Sequence, residues 1–465
     1  MEHIHFIGIG GTGLSAIAKV LLEQGLKVSG SDLHPSPLFE SVKTAGGSVV
    51  LGHRAENILG ADLVIRSSAV PNENPEVQAA LKAGIPVLKR SEFLARLTKG
   101  KKVVAVAGSH GKTTTTSMVA WILSDLKFDP SFIVGGVVSN LETNARAGNG
   151  ECFVIEADEY DYMFLGLQPQ LAAVTNVEHD HPDLFPTRED FEDAFRQFVA
   201  NLKPDGTLIL CGDHPGSRKL GDVLRSSQEL KMYGLENPDW DYSAHQLRVN
   251  QKAGMDFELR VKDPGGETRL PVTLQIPGEH NVLNALAAFG LADSLGIDRE
   301  KIARSLGDFK GSGRRFEIRG EVGGVLLVDD YGHHPTEIMA TLSAARNAYP
   351  DRKIRVVWQP HTYSRTLTLF DDFVSAFQKA DQVLVLDVYE AREDKPDLFK
   401  IEDLVNAIQH QDVLYLAGNS QASDYLEAEL VPGDLLLIFT AGDAIAINDR
   451  VEKTLTDRIE LLRGE

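Results

Sequence analysis

The stretch Val103-Val104-Ala105-Val106-Ala107-Gly108-Ser109-His110-Gly111-Lys112-Thr113-Thr114 decides how this chain folds. Its first five residues are a short, uninterrupted apolar run of the kind that forms a strand buried on both faces. The glycines then turn the chain, and a helical run follows from Thr114 to Leu123. Glycine N–H groups at such a turn can cradle phosphates, a lysine can reach the β- and γ-phosphates, and a hydroxyl can meet Mg²⁺. The usual G-x-x-x-x-G-K-[ST] spacing would need glycine at position 106, where Val106 stands. The working parts survive that departure. Gly108, Ser109, His110, Gly111, Lys112, Thr113 and Thr114 are therefore candidate nucleoside-triphosphate contacts.

Two more apolar runs nearby end in polar clusters. Cys152 to Ile155 leads into Glu156-Ala157-Asp158-Glu159, and Leu171 to Val177 leads into Glu178-His179-Asp180-His181. In an open parallel sheet the carboxyl ends of the strands line one crevice, where ligands sit. A run of carboxylates is more often a solvated face. Behind a buried strand and beside phosphates it suits Mg²⁺, which takes oxygen ligands. The run Glu156 to Glu159 and the Thr113 hydroxyl are the candidate ligands of one ion. His181 is the candidate for a second, an unusual donor for magnesium but an admissible one.

Toward the N-terminus, the strand His3 to Ile7 enters Gly8-Ile9-Gly10-Gly11-Thr12-Gly13, a helix stops near Gln24-Gly25, and a second strand closes on Ser31-Asp32. This is the G-x-G-x-x-G arrangement that lets backbone approach a diphosphate at a helix N-terminus. The pattern leaves open whether the diphosphate belongs to NAD or to a UDP-sugar; Asp32 can hold a ribose in either. Beyond Gly311-Ser312-Gly313-Arg314-Arg315, buried-type runs recur at Val325 to Val328, Ile354 to Trp358, Val383 to Leu386, Val413 to Leu416 and Leu435 to Phe439. A charged helix from about Asp443 to Arg463 ends the chain. The stretch from Gln246 to Val272 reads as an appended antiparallel region.

Strands alternating with helical patterns argue an α/β protein with mostly parallel sheets. At roughly 150 residues per domain, 465 residues suggest about three domains. The polar stretch Thr98 to Lys102 and the Gly/Arg cluster place them at 1–99, 100–314 and 315–465. The chain carries 67 acidic and 47 basic side chains, a net charge of −20, which argues against binding nucleic-acid polymers. No apolar run approaches the ~18–20 residues of a membrane span. Met1-Glu2-His3-Ile4 lacks the regions of a signal peptide, and two cysteines provide neither a disulfide framework nor a metal spacing. The expectation is a soluble cytoplasmic protein, monomeric or homodimeric.

Taken together, the motifs resemble the Mur ligase family over essentially the whole chain. The residues that carry this are Ile4 to Gly11 with Val28 to Asp32, the Gly108 to Thr114 loop, Glu156 to Glu159 and Thr175-Asn176-Val177-Glu178. They continue with Gly278-Glu279-His280-Asn281-Val282-Leu283-Asn284-Ala285, Arg314 to Glu317, Asp329-Asp330-Tyr331-Gly332-His333-His334-Pro335 and Gln359-Pro360-His361-Thr362-Tyr363-Ser364-Arg365. The resemblance implies a Rossmann-like domain for a UDP-sugar, a central ATPase, and a Rossmann-like domain for an amino acid. Gly8, Gly10, Gly11, Thr12, Gly13, Ser31, Asp32 and Ser67 then belong to the sugar nucleotide. Lys112 and Arg315 contact ATP phosphates, Asn281 and Asn284 the adenine, and Asp330 the ribose side. Thr113 and Glu156 hold one Mg²⁺ and His181 the second. His333, His361 and Arg365 serve the amino acid and the muramoyl carboxylate, with His333 a candidate proton acceptor.

The implied reaction is ATP-dependent amide formation through an acyl phosphate in peptidoglycan precursor synthesis. The resemblance is closest to the members that add L-alanine to UDP-N-acetylmuramate. Thr362 departs from an arginine found in some members, and after His181 no lysine appears until Lys203, so no carbamylated lysine is expected near the second metal. The rival readings are a recycling ligase that joins a peptide to the same sugar nucleotide, an NAD-dependent oxidoreductase built on the first glycine loop, and a regulatory P-loop NTPase.

Overall fold

The computed structural model describes residues 2–391, 393–397 and 399–463. Three sheets follow one another along the chain. The first has five parallel strands in the order Ser48–Leu51, Lys27–Asp32, His3–Ile7, Leu63–Arg66, Val87–Lys89. Strand order therefore reverses beside His3–Ile7, and the glycine loop leaves the sheet at that point, where a Rossmann-type sheet opens its crevice.

The central sheet has ten strands. Its middle runs Glu229–Gly234, Thr207–Cys211, Leu171–Val174, Lys102–Ala107, Cys152–Glu156 and Ser131–Val138, all parallel. The stretch expected to be an appended antiparallel region continues this same sheet. Tyr242–Val249 joins it in parallel, then Met255–Asp263 and Gly266–Leu274 add antiparallel strands. The third sheet has six strands, Glu317–Val322, Val325–Asp330, Asp434–Phe439, Lys353–Trp358, Gln382–Val385 and Val413–Tyr415, of which only the first pair is antiparallel. The inner strands are buried along their length and mostly apolar because helices cover both faces, as parallel sheets require.

Element ends differ from the sequence reading in instructive places. The helix after the phosphate loop spans Lys112–Asp125, two residues earlier than the apolar pattern begins, because Gly111 takes a left-handed φ of 81° and directs Lys112 straight into helical geometry. The third loaded strand stops at Val174, so Thr175 to His181 form a loop whose polar groups can reach the phosphate loop. The last helix spans Ala446–Arg463.

The N-terminal and central units share one continuous apolar core, which runs from Ile4 and Phe6 through Phe164 to Phe198. Polar contacts add to the junction: Lys19 Nζ donates to Asn144 Oδ1 at 2.7 Å, and the Ala147 N–H donates to Glu23 Oε2 at 2.6 Å.

Inside the third unit, Arg355 is buried with Asp434, its Nε 2.7 Å from Oδ2, and its other nitrogens donate to Gln382 Oε1 and the Glu429 carbonyl. Removing one partner of such a pair strands the other charge in the interior. Asp434→Ala is expected to lower the urea midpoint of unfolding by an amount equivalent to about 3–5 kcal/mol. Asp434→Asn, which keeps an acceptor oxygen, should cost less; equal midpoints for wild type and Asp434→Ala would refute the assignment.

Candidate active site

The phosphate loop is built tightly. A Cβ at Gly108 would lie 2.0 Å from Thr175 Oγ1, and one at Gly111 would lie 2.4 Å from Asn284 Oδ1, so any larger residue collides with the walls. The loop is pinned from the neighbouring strand end. His110 N–H donates to Asn176 Oδ1 at 2.8 Å, Asn176 Nδ2 donates to the His110 carbonyl at 3.1 Å, and Thr175 Oγ1 donates to that carbonyl at 2.5 Å. Ser109 Oγ donates to the Glu178 carbonyl at 2.7 Å and accepts from Glu178 N–H at 2.8 Å.

Lys112 Nζ lies 2.9 Å from Glu159 Oε2 and donates to the Gly108 and Ser109 carbonyls. Burial pulls the lysine pKa down, but Glu159, Asp158 and Glu156 more than compensate and hold the ammonium above its usual range. Thr113 Oγ1 donates to Glu156 Oε1 at 2.9 Å, and Gly135 N–H donates to Oε2 at 2.6 Å; burial still pushes the Glu156 carboxyl upward. Glu159 Oε2 is buried and has Lys112 beside it without a directed hydrogen bond. Buried, cation-seeking oxygens next to a hydroxyl are the donor chemistry Mg²⁺ takes, so Thr113 and Glu156 fit that ion.

His181 adopts a left-handed φ of 54°, an uncommon conformation for a non-glycine residue. Its Nε2 lies 3.6 Å from both Glu159 Oε1 and Asp180 Oδ2. Burial lowers its pKa, and these two carboxylates reverse the sign and raise it.

A second grouping brings one ligand-type atom each from His110, Glu178 and His334 within 4.8 Å of one another. There, His334 Nδ1 accepts from Thr336 N–H at the start of a helix, which puts the ring proton on Nε2 and makes that nitrogen a donor. That nitrogen is buried and has no hydrogen-bond partner among the described residues, whereas the His110 ring is held by Glu178 and Glu337.

A cavity of about 340 Å³ lies beside the loop and collects most of the candidate ATP residues, while Gly108, Ser109 and Lys112 are not part of its lining. His110, Gly111, Thr113, Thr114, Asn281, Asn284, Arg315 and Asp330 all line it. Asn281 Nδ2 donates to the Pro277 carbonyl and Asn284 Nδ2 to Asn281 Oδ1, which fixes both amides. Arg315 stands over the Tyr331 ring, 4.9 Å from its centroid. Asp330 accepts from Phe316 and Gly332 N–H, each at 2.7 Å, and burial raises its pKa to about 6.

The third unit reaches the same crevice. Arg365 Nε donates to Asp180 Oδ1 at 2.8 Å and its Nη1 to the His361 carbonyl at 2.7 Å. The His333 and His361 rings lie 6.0 Å apart, and His333 Nε2 is 3.9 Å from Asp180 Oδ2. Burial lowers the pKa of both histidines, that of His361 to about 3, so both rings are neutral near pH 7.

In the first sheet, Gly10 N–H donates to Asp32 Oδ2 at 2.8 Å, and Gly8 packs against Ser67, where a Cβ would lie 3.0 Å from the serine Cβ. Gly11, Thr12 and Gly13 open the helix Thr12–Glu23. Ser31 is fully buried and its hydroxyl donates to Glu76 Oε2 at 2.6 Å, which places it beneath the loop and not on the crevice surface.

Residues 3–102 match the Mur ligase family catalytic domain, 106–292 the Mur ligase middle domain, and 314–442 the Mur ligase glutamate ligase domain. The chain belongs to the Mur ligase family. Similar to this Mur ligase at 44% identity is the UDP-N-acetylmuramate–L-alanine ligase of Geobacter sp. (strain M21), with 97% of this chain and 96% of that one covered. The enzyme of the same description from Desulforamulus reducens is 43% identical, with 98% of each covered. Among solved structures, the UDP-N-acetylmuramate–alanine ligase from Thermotoga maritima has a TM-score of 0.83 at 28% identity, covering 98% of this chain and all of that one. A murein peptide ligase from Psychrobacter arcticus has a TM-score of 0.72 at 25% identity, covering 98% and 99%.

From the sequence, several residues of this Mur ligase site are read only within motifs, without the partners they take, and Arg90 is not read at all. Asn176 and Thr175 hold the phosphate loop, Asp180 receives Arg365, Glu159 pairs Lys112, and Arg90 Nη2 donates to Asp158 Oδ2 at 3.1 Å beside Gly13. The Thr-Asn-Val-Glu run at the strand end was a visible signal for the first two; the other pairings join segments with no local pattern.

His110 carries a pH prediction. Burial lowers its pKa, but Glu178 on Nε2 at 3.0 Å and Glu337 on Nδ1 at 3.3 Å raise it to about 9, from 6.5 in the unfolded chain. The stability this pairing supplies is fully present below about pH 6.5 and is lost as pH rises through about 9. In Glu178→Gln the ring should titrate nearer 6.5 by nitrogen NMR; a midpoint unmoved by that substitution would contradict the clamp.

Proposed function

We propose that this Mur ligase joins L-alanine to the muramoyl carboxylate of UDP-N-acetylmuramate, with conversion of ATP to ADP and phosphate. The reading is carried by the near-full-length similarity to alanine-adding ligases, together with Arg365 and His333 of the third unit meeting His181 of the central one around Asp180, while Glu159 links His181 to Lys112. The first unit holds the UDP-sugar through Gly8, Gly10, Gly11, Thr12, Gly13, Asp32 and Ser67. Ser31 acts behind them through Glu76. Asn281 and Asn284 face the adenine, Asp330 the ribose, and Lys112 with Arg315 the phosphates.

A carboxylate is a poor electrophile, so it first takes the γ-phosphoryl group of ATP and becomes an acyl phosphate. The residues act by position and charge, as phosphoryl transfer demands. Lys112 compensates the charge on the transferred group, and Arg365 orients the carboxylate. Thr113 and Glu156 would hold one Mg²⁺ and His181 a second, and when bound these ions would supply further charge neutralisation.

The neutral amine of L-alanine then attacks the acyl carbon, and the carbon–oxygen bond to phosphate breaks. The amine proton needs an acceptor. His333 Nδ1 donates to the Tyr331 carbonyl at 3.1 Å, which leaves a lone pair on Nε2 toward Asp180. Burial keeps this imidazole neutral, and we assign it the proton. Closure of the third unit over the crevice protects the acyl phosphate from water.

No helix among the described residues is long and apolar enough to cross a membrane. We place the reaction in the cytoplasm, where ATP is available, and expect a monomer or a homodimer.

The second reading, a ligase that adds a peptide, draws on the similarity to the murein peptide ligase structure. An oxidoreductase reading uses the first glycine loop alone and leaves the Lys112 loop and the cavity beside it without a role. The deciding experiment measures ADP release with UDP-N-acetylmuramate and, in turn, L-alanine, L-serine, glycine and a muropeptide-type tripeptide. L-Alanine is expected to give the highest kcat/KM; turnover with the tripeptide alone would transfer the assignment. Lys112→Ala should reduce turnover on the order of 10²–10³-fold or more with an unchanged circular dichroism spectrum. Wild-type rates in that variant would remove Lys112 from the chemistry.

A further inference from the structure

The phosphate loop belongs to the central unit, yet one of the side chains that fixes it comes from the third. Glu337 lies in the first turn of the helix Pro335–Ala348, and its carboxylate is divided between two tasks. Oε2 accepts from His333 N–H at 3.0 Å and His334 N–H at 3.3 Å, which caps the helix. Oε1 points the other way, 3.3 Å from His110 Nδ1 and 3.4 Å from Arg315 Nη1. The capping bonds fix the direction in which the second oxygen aims.

His110 is consequently gripped at both ring nitrogens, by Glu178 of its own unit and by Glu337 across the junction. Thr336, adjacent to Glu337, donates its hydroxyl to Glu178 Oε1 at 2.9 Å, so the two carboxylates that hold the ring are themselves linked. An imidazole held at both nitrogens has a fixed ring plane, and Gly111 and Lys112 follow it directly in the chain. Arg315, on the same Glu337 oxygen, lines the cavity with His110.

We propose that Glu337 is a positioning residue for the ATP site: through one oxygen it sets His110 and Arg315, so that the phosphate loop is complete only when the third unit is docked. This deepens the function proposed above and rests on its placement of ATP. The competing account is that Glu337 is a helix cap and nothing more. Glu337→Gln separates the two, because an amide oxygen still accepts the backbone N–H groups while the charge facing His110 and Arg315 is gone.

The experiment titrates the full-length enzyme with a non-hydrolysable ATP analogue in Mg²⁺ and, separately, with UDP-N-acetylmuramate. Glu337→Gln is expected to weaken analogue binding and raise the KM for ATP by roughly 10–100-fold, the range for losing a hydrogen bond to a charged group. UDP-N-acetylmuramate affinity should stay close to wild type, and the variant should remain folded, its melting temperature lowered only by the lost pairing with His110. His110→Asn should show a similar loss, and the double variant should lose clearly less than the sum of the singles, since the two changes share the Glu337–His110 interaction.

Glu337→Asp keeps the charge on a shorter stem; it should fall between wild type and Glu337→Gln, and it serves if the amide variant does not fold. ATP binding within about twofold of wild type in both Glu337 variants, or fully additive losses with His110→Asn, would overturn the proposal. Absence of alanine ligation by the wild type would instead remove the function proposed above, while the analogue titrations still decide whether Glu337 orders the phosphate loop.

Discussion

A buried ammonium ion among carboxylates organises this molecule. Lys112 can sit beside Glu159, near Asp158 and Glu156, only if two strand ends emerge at one level of the central sheet. The parallel register provides this: Val106 is opposite Glu156 and Ala107 opposite Val174, so the glycine loop, the acidic run and the Thr175–His181 segment leave the sheet side by side. Slipping a strand by one residue would turn its side chains to the other face and disperse the cluster. The apolar cores on both faces hold that register, and in this sense the hydrophobic interior is what keeps the charges adjacent.

The global charge of −20 works against two anionic nucleotide substrates, so binding depends on local arrangement. Cations are gathered at the crevice and each is kept charged by a specific acid: Lys112 by Glu159, His110 by Glu178 and Glu337, Arg365 by Asp180. Near them His333 and His361 lose basicity through burial and remain neutral. Neighbouring imidazoles thus take opposite charge states, His110 available for an anion and His333 for a proton, with environment alone making the difference. Asp180 and Glu337 have a further consequence: both pair across the junction between units, so electrostatics of the site and docking of the third unit are one property.

Much of this was legible in the sequence because it is local. A strand followed by Gly-Ser-His-Gly-Lys-Thr, or by Glu-Ala-Asp-Glu, announces itself within ten residues, and the α/β class follows from alternation of strand and helix patterns. Residues 281, 284, 315 and 330 lie far from the loop in sequence, and it was the resemblance to a family, not any periodicity, that joined them to it. What stayed hidden depends on tertiary placement. Ser31 resembles a ligand contact by position beside Asp32, but its hydroxyl is drawn inward by Glu76. Asp180 was visible only as the residue between two histidines, and its partner Arg365 lies on another sheet. Glu337 carries no motif of its own, since a glutamate in a first helical turn is an ordinary cap. The helix start at Lys112 was also missed, because backbone geometry at Gly111, not apolar spacing, sets it.

The central claim is that the carboxylate of the sugar nucleotide is activated as an acyl phosphate where the three units meet. The most direct test supplies UDP-N-acetylmuramate with oxygen-18 in its carboxylate, together with ATP and L-alanine, and analyses the released phosphate by mass spectrometry. The account predicts that a carboxylate oxygen appears in the phosphate, in step with amide product. Phosphate free of label alongside amide formation would contradict it.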